Sequence, residues 1–187
     1  MGGGFSEKDK MTGSKGLFIQ DYFRTLTQVW FSPGRFFSDL PESSGLTRPL
    51  AFLVLSSLLF AAGNLLYLRE RILLKVAILF INAVAMPFIA SAFGYLVMTM
   101  MMGKRASYRR LFSIYAFASG ATLLLAWLPF SLWFVEIWKW FLIGVGMVKG
   151  CAFRPLQAGA VIALSMVILV LFFYSLGPVI LWFKGPG

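Results

Sequence analysis

Few residues in this chain could do chemistry. It has no histidine and one cysteine, Cys151, so the ligand clusters needed for zinc, haem or iron–sulfur groups cannot be assembled and no cofactor is expected. Glu136 and Lys139 are neighbours on one helix face, and we expect them to pair near a helix end. Gly144 and Gly146 sit in an apolar helix, so we interpret them as a close-packing notch. With no catalytic set available, we predict a non-enzymatic protein.

A second group of polar residues lies inside the long apolar runs. Such residues usually join helices through hydrogen bonds worth roughly 0.6–2 kcal/mol each. The alternative is a hydrated path through a helix bundle, as in a transporter, a channel or a lipid-translocating protein. That alternative requires four side chains to converge around a polar cavity near Pro87, namely Asn64, Asn82, Tyr95 and Tyr115.

Composition indicates which solvent the chain needs. Hydrophobic residues make up 59% of it and charged residues 13%, against roughly 25% charged residues in soluble domains. Such a chain could not cover its surface in water, so we predict an integral membrane protein. The net charge is +10, but the basic residues flank apolar runs rather than forming a long basic arm. We therefore expect no nucleic-acid partner.

Five apolar segments are long enough to cross a bilayer as α-helices. The predicted fold is an all-α, polytopic membrane protein in which residues 47–184 form a five-helix membrane domain. Lys and Arg outside the spans concentrate on the side of the N-terminus, which places that end in the cytoplasm and the C-terminus outside. The predicted spans are about 49–68, 77–99, 110–128, 132–148 and 157–182.

The segment before the first span has two parts. Residues 1–15 are polar and glycine-rich, so we predict that they are disordered. Residues 16–46 form a cytoplasmic juxtamembrane segment with an amphipathic helix over 16–31, then a short helix that Pro33 opens and Pro41 ends. These helices would either lie in the headgroup layer or cap the bundle. In the first case the membrane-interface residues are Phe18, Phe23, Trp30, Phe36 and Phe37, with Arg24 and Arg35 on lipid phosphates.

Three stretches carry a resemblance to a known family. They are WFSPGRFFSDLP at 30–41, PLAFLVLSSLLF at the start of the first span, and YRRLFSIYAFASGATLLLAWLPF at 108–130. In these stretches the chain resembles the Yip1 family, and the likeness extends over roughly 22–183. The resemblance implies a cytosolic N-terminus, five membrane helices and an extracytoplasmic or lumenal C-terminus. Eukaryotic members are associated with membrane traffic and Rab-type GTPases, but their acidic DLYGP-like motif is not found, so Rab binding is not inferred.

Taken together, these features predict a compact bacterial Yip1-like protein of the cytoplasmic membrane, with an ER or Golgi membrane as the alternative. We expect it to act as a membrane-organising or partner-binding subunit. Its expected partners are the lipid bilayer and anionic lipid headgroups, together with another membrane protein or a second copy of the chain. The competing function is the transporter, channel or lipid-translocating class.

Overall fold

The structure, a computed structural model, describes residues 7–41, 45–65, 72–103, 106–126 and 132–184. Every regular element within these ranges is a helix, which confirms the predicted all-α class there. The helices are α1 (Glu7–Phe31), α2 (Pro33–Ser38), α3 (Thr47–Asn64), α4 (Ile72–Met102), α5 (Tyr108–Ala126), α6 (Leu132–Gly150) and α7 (Pro155–Lys184).

Three of these helices are long and apolar enough to cross a membrane. They are Thr47–Asn64 in α3, Leu73–Met102 in α4 and Pro155–Ser175 in α7. Helices α5 and α6 each have 19 residues, which is sufficient length, but α5 is less apolar and α6 carries three charged residues, Glu136, Lys139 and Lys149. The structure thus supports an integral membrane protein with several apolar helices, and the count of five spans stays a prediction.

The N-terminal helices begin earlier than the hydrophobic pattern suggests. Helix α1 starts at Glu7 and so extends through residues 7–15, part of the segment for which the sequence predicts disorder. Several residues of this stretch, among them Glu7, Lys8 and Met11, are good helix formers. They extend α1 toward the N-terminus, although the stretch has no apolar stripe. Residues 1–6 lie outside the described part of the chain. A break at Ser32 separates α1 from α2, and Pro33 stands in the first turn of α2, as predicted.

Helix α5 is the centre of the bundle. Every residue from Leu111 to Thr122 is buried, because α3, α4 and α6 surround it and α1 covers part of its remaining side. Its hydroxyl groups therefore face protein rather than lipid. The Ser113 hydroxyl donates a hydrogen bond of 2.8 Å to the Arg109 carbonyl, and the Thr122 hydroxyl donates one of 3.0 Å to the Ala118 carbonyl, each one turn earlier. This local bonding lets a polar helix occupy an apolar core.

A glycine lies at the contact of α5 with each of its three main neighbours. Gly146 of α6 faces Ile114 so closely that a Cβ atom could not be accommodated. A Cβ at Gly120 would lie 2.9 Å from the Phe52 ring of α3, and one at Gly94 of α4 would lie 2.8 Å from the Tyr115 hydroxyl. Gly144 differs, since its nearest neighbour would be 3.6 Å away. The predicted packing notch is therefore Gly146 alone.

Candidate functional site

A cavity of about 310 Å³ opens at the end of the bundle where α3 ends and α6 begins. Its walls come mainly from three helices: α4 between Leu79 and Ala90, α5 between Tyr115 and Ala126, and α6 between Val135 and Ile143. Pro87 lies in the α4 wall, and α4 continues unbroken through it. Most of the lining is aliphatic or aromatic, as is usual for sites that bind small molecules.

Two of the four predicted cavity residues line this space. Asn82 and Tyr115 both face it, as the prediction of a site near Pro87 requires. Asn64 is not part of the lining, and its amide donates a 2.9 Å hydrogen bond to the Phe60 carbonyl of its own helix. Tyr95 packs edge-on against Tyr108 instead, with ring centroids 5.7 Å apart. It lies eight residues beyond Pro87, about 12 Å further along α4.

Two further polar positions of α5 were not among the four predicted cavity residues. Ser119 and Thr122 line the cavity beside Tyr115. Their spacing of four and three residues places all three on one face of α5. That spacing is visible in the sequence, and it is the signal that could have identified the polar wall of the site.

The Tyr115 hydroxyl is the most enclosed polar group of the cavity wall. The side chain is buried, its hydroxyl lies against Gly94, and it has no hydrogen-bond partner among the residues that the structure describes. Leaving a buried hydroxyl without a partner costs roughly 1–3 kcal/mol. Tyr115 therefore lines the cavity, while its hydroxyl oxygen is enclosed against Gly94 of α4.

The predicted Glu136–Lys139 pair stands at the edge of the cavity. The Lys139 Nζ lies 2.7 Å from each of the two Glu136 carboxylate oxygens, which confirms the pairing. It also lies 5.5 Å from the centroid of the Trp140 ring. Because Glu136 is exposed, the pair contributes little to stability, about 0–1 kcal/mol. Its effect is to place two opposite charges beside an otherwise apolar space.

The predicted membrane-interface residues divide into an inward and an outward set. The inward set is held by the bundle: the Trp30 indole N–H donates to the Ala121 carbonyl at 3.1 Å, and its ring stacks on Trp138 with centroids 5.8 Å apart. Phe36 packs edge-on against Phe117 at 5.0 Å, and Phe37 is 0% exposed. These three residues, for which headgroup contact is predicted, thus pack against the bundle. The capping interpretation fits them, because helical periodicity marks an apolar face without naming what covers it.

Tyr22 adds a further contact that sequence reasoning did not single out. Its hydroxyl forms a 2.9 Å hydrogen bond with the Ser56 hydroxyl of α3, and its ring lies 4.9 Å from that of Phe52. Burial raises the pKa of the Tyr22 hydroxyl, and the bond with Ser56 opposes part of that rise. Helix α1 is thus fastened to α3 by Tyr22 and to α5 and α6 by Trp30.

Helix α1 and the helices that it contacts belong to a domain of a known family. Comparison with protein-family models matches residues 27–177 to the Yip1 domain, which covers most of the chain. The chain belongs to the Yip1 family. Neither the curated proteins nor the solved structures contain a match to it. The Yip1 match begins within α1, so Trp30, Phe36 and Phe37 are part of the domain that they hold together.

The outward set of this Yip1 protein lies on α1 and α2. Phe23 is 57% exposed, and the neighbouring apolar side chains Ile19 and Phe31 are 54% and 81% exposed. Arg24 and Arg35 are exposed as well. The side chain of Phe18 lies outside the described residues. One face of α1 is therefore held by the Yip1 bundle, while another carries apolar and cationic side chains outward.

Proposed function

We propose that this Yip1-family protein is a non-enzymatic, membrane-organising or partner-binding subunit that acts through α1, α2 and the surface of its bundle. One observation carries the proposal. Helix α1 is fixed to the bundle on one face and leaves Ile19, Phe23 and Phe31 exposed near Arg24. A surface of apolar and cationic side chains suits the boundary between headgroups and acyl chains, where apolar groups insert and Arg meets phosphate.

The proposal includes a topology. We infer that α3 to α7 all cross the bilayer, with the N-terminus in the cytoplasm and the C-terminus outside. The concentration of Lys and Arg on the N-terminal side supports this direction. The burial of α5 supports its crossing despite its hydroxyl groups, since a helix enclosed by others meets little lipid. A bacterial cytoplasmic membrane is the proposed location, with an ER or Golgi membrane as the alternative.

The membrane contact can be tested on the full chain reconstituted in vesicles of anionic and zwitterionic phospholipid. In a Cys151→Ala background, a fluorescent label is attached at Phe23→Cys. The matched control is Asp21→Cys, an exposed position on the polar side of α1. Lipids with a quencher on the acyl chain should quench the label at 23 and spare the one at 21, while aqueous iodide should do the reverse. Quenching at 23 by iodide alone would reject the membrane contact.

A second function is favoured by the cavity. We propose as the alternative a transporter, channel or lipid-translocating protein, because Asn82, Tyr115 and the Glu136–Lys139 pair line one space within the bundle. The test is movement of labelled lipid and of small solutes across liposomes that contain the full chain. Asn82→Leu should abolish it, and Asn64→Leu, which changes an asparagine outside the cavity lining, should not. The absence of flux, or an equal loss in both variants, would reject this class.

A further inference from the structure

A second and smaller pocket lies where α1, α2 and the start of α3 meet. Its volume is about 190 Å³. Polar groups make up a larger share of its lining than in the bundle cavity: Gln28 and Ser32 come from α1 and its end, Arg35 and Asp39 from α2 and its end, and Arg48 from the first turn of α3. The docking of α1 and α2 on the bundle brings these residues together.

Among the described residues, the pocket has more positive than negative side chains. Neither the Arg35 nor the Arg48 guanidinium forms an ion pair with a carboxylate among the described residues. Asp39 also lines the pocket, and the one side-chain contact of its carboxylate in the described part is a long one, 3.4 Å from the Ser38 hydroxyl. Two cations and one anion therefore face the same small space.

Such a set of groups has a chemical counterpart. Guanidinium groups bind phosphate oxygens through paired, charge-assisted hydrogen bonds, and two of them at one pocket favour a phosphate group. The Ser32 hydroxyl and the Gln28 amide are neutral donors beside them. Asp39 adds an acceptor suited to an ammonium group near that phosphate. The combination matches a phosphate with an amine close to it.

Position and size point to a lipid headgroup. Arg48 is the second residue of α3, whose apolar span begins at Thr47, so the pocket lies at the level where a membrane helix passes out of hydrocarbon. The pocket is smaller than the sites that enclose whole small molecules, about 300–1,000 Å³. A headgroup would fit while its acyl chains stay in the bilayer.

We propose that this pocket binds the phosphate of a phospholipid headgroup through Arg35 and Arg48, and that Asp39 accepts a hydrogen bond from the amine of an ethanolamine headgroup. This site goes beyond the proposed membrane contact of Ile19 and Phe23. It uses different residues, so either proposal can fail while the other holds.

Binding to the purified full chain in a non-ionic detergent tests the site. Three probes are titrated: short-chain phosphatidylethanolamine, short-chain phosphatidylglycerol and inorganic phosphate. Arg35→Gln and Arg48→Gln should each weaken binding of both lipids about tenfold, corresponding to about 1.4 kcal/mol. The control Arg109→Gln removes an exposed cation at the start of α5 that does not line the pocket, and it should leave binding unchanged. Thermal unfolding of each variant shows whether it remains folded.

The arms of this experiment separate the sources of phosphate. Asp39→Asn should weaken phosphatidylethanolamine and spare phosphatidylglycerol; an equal effect on both would overturn the role given to Asp39. An equal loss in Arg109→Gln would mean diffuse surface attraction and would overturn the site. Inorganic phosphate that binds as tightly as either lipid would overturn the assignment to a headgroup.

Discussion

The contact between Gly146 and Ile114 allows a quantitative test of how α5 is held. Adding one methyl group by Gly146→Ala would place a Cβ atom against the γ2 methyl of Ile114, at a separation that atoms do not tolerate. Ile114 has no exposed surface, and as a β-branched residue in a helix it has one strongly preferred rotamer. The side chain cannot turn away, so the two helices must move apart.

The expected cost follows from two opposing effects. Overpacking of a close-packed core costs about 1–3 kcal/mol. Replacing a helical glycine by alanine returns about 0.5–1 kcal/mol through backbone entropy. The net loss for Gly146→Ala is therefore about 0–2.5 kcal/mol, with a central value of about 1 kcal/mol. Gly144→Ala is the matched control on the same helix, since its Cβ would meet only Ile162 at 3.6 Å. Gly144→Ala should raise the free energy of unfolding by about 0.5–1 kcal/mol.

Unfolding of the purified protein in mixed micelles, followed by circular dichroism, measures these differences. A third variant shows whether the predicted contact is responsible. Ile114→Leu removes the γ2 methyl at nearly constant volume, so Gly146→Ala should cost much less in that background. Equal stability of Gly146→Ala and Gly144→Ala would refute the reasoning, and so would a loss that Ile114→Leu leaves unchanged.

Three further predictions concern the sites. Tyr115→Phe should leave the stability unchanged or raise it by about 1 kcal/mol, because the hydroxyl has no partner in the described part of the chain; a loss above that size on thermal unfolding would indicate a hydrogen bond. Trp30→Phe removes the bond to Ala121 and should weaken the docking of α1 by about 1 kcal/mol. Hydrogen exchange of α1 in the full chain should then be faster, and unchanged exchange would contradict the docking role. The pKa of Tyr22 is raised above its ordinary value of 10.0. Its contribution to docking is therefore fully present below pH 10.0 and is lost as the pH rises through the raised pKa. The loss of docking at alkaline pH should disappear in Tyr22→Phe. The difference in tyrosinate absorbance between the two proteins shows the pH at which Tyr22 ionises.

Hydropathy was sufficient to locate the helices, because a bilayer leaves helices of a set length as almost the sole choice for apolar segments. It was insufficient to say what covers each face. Phe37 was predicted to reach headgroups and has no exposed surface. An apolar stripe looks the same whether lipid or protein lies against it, so only the tertiary contacts could decide.

The cavity illustrates a similar limit. Asn82 and Tyr115 could be predicted to face it, since both lie about a turn or two from the level of Pro87 in the bundle. Asn64 and Tyr95 could not be excluded, because which side of its helix a residue presents depends on how that helix rotates against its neighbours. The position of the Arg35–Arg48 pocket was also beyond the sequence, since it requires knowing that α2 returns toward the start of α3.

The enclosure of α5 has a consequence for biogenesis. Helices α3 and α4 are long and apolar enough to cross a membrane, whereas α5 carries Arg109, Arg110 and several hydroxyl groups. Its serine, threonine and tyrosine hydroxyls become tolerable once neighbours surround it. Under the proposed five-span topology, we therefore expect α5 to enter the membrane against helices that are already in place, so that its insertion and its folding are one event.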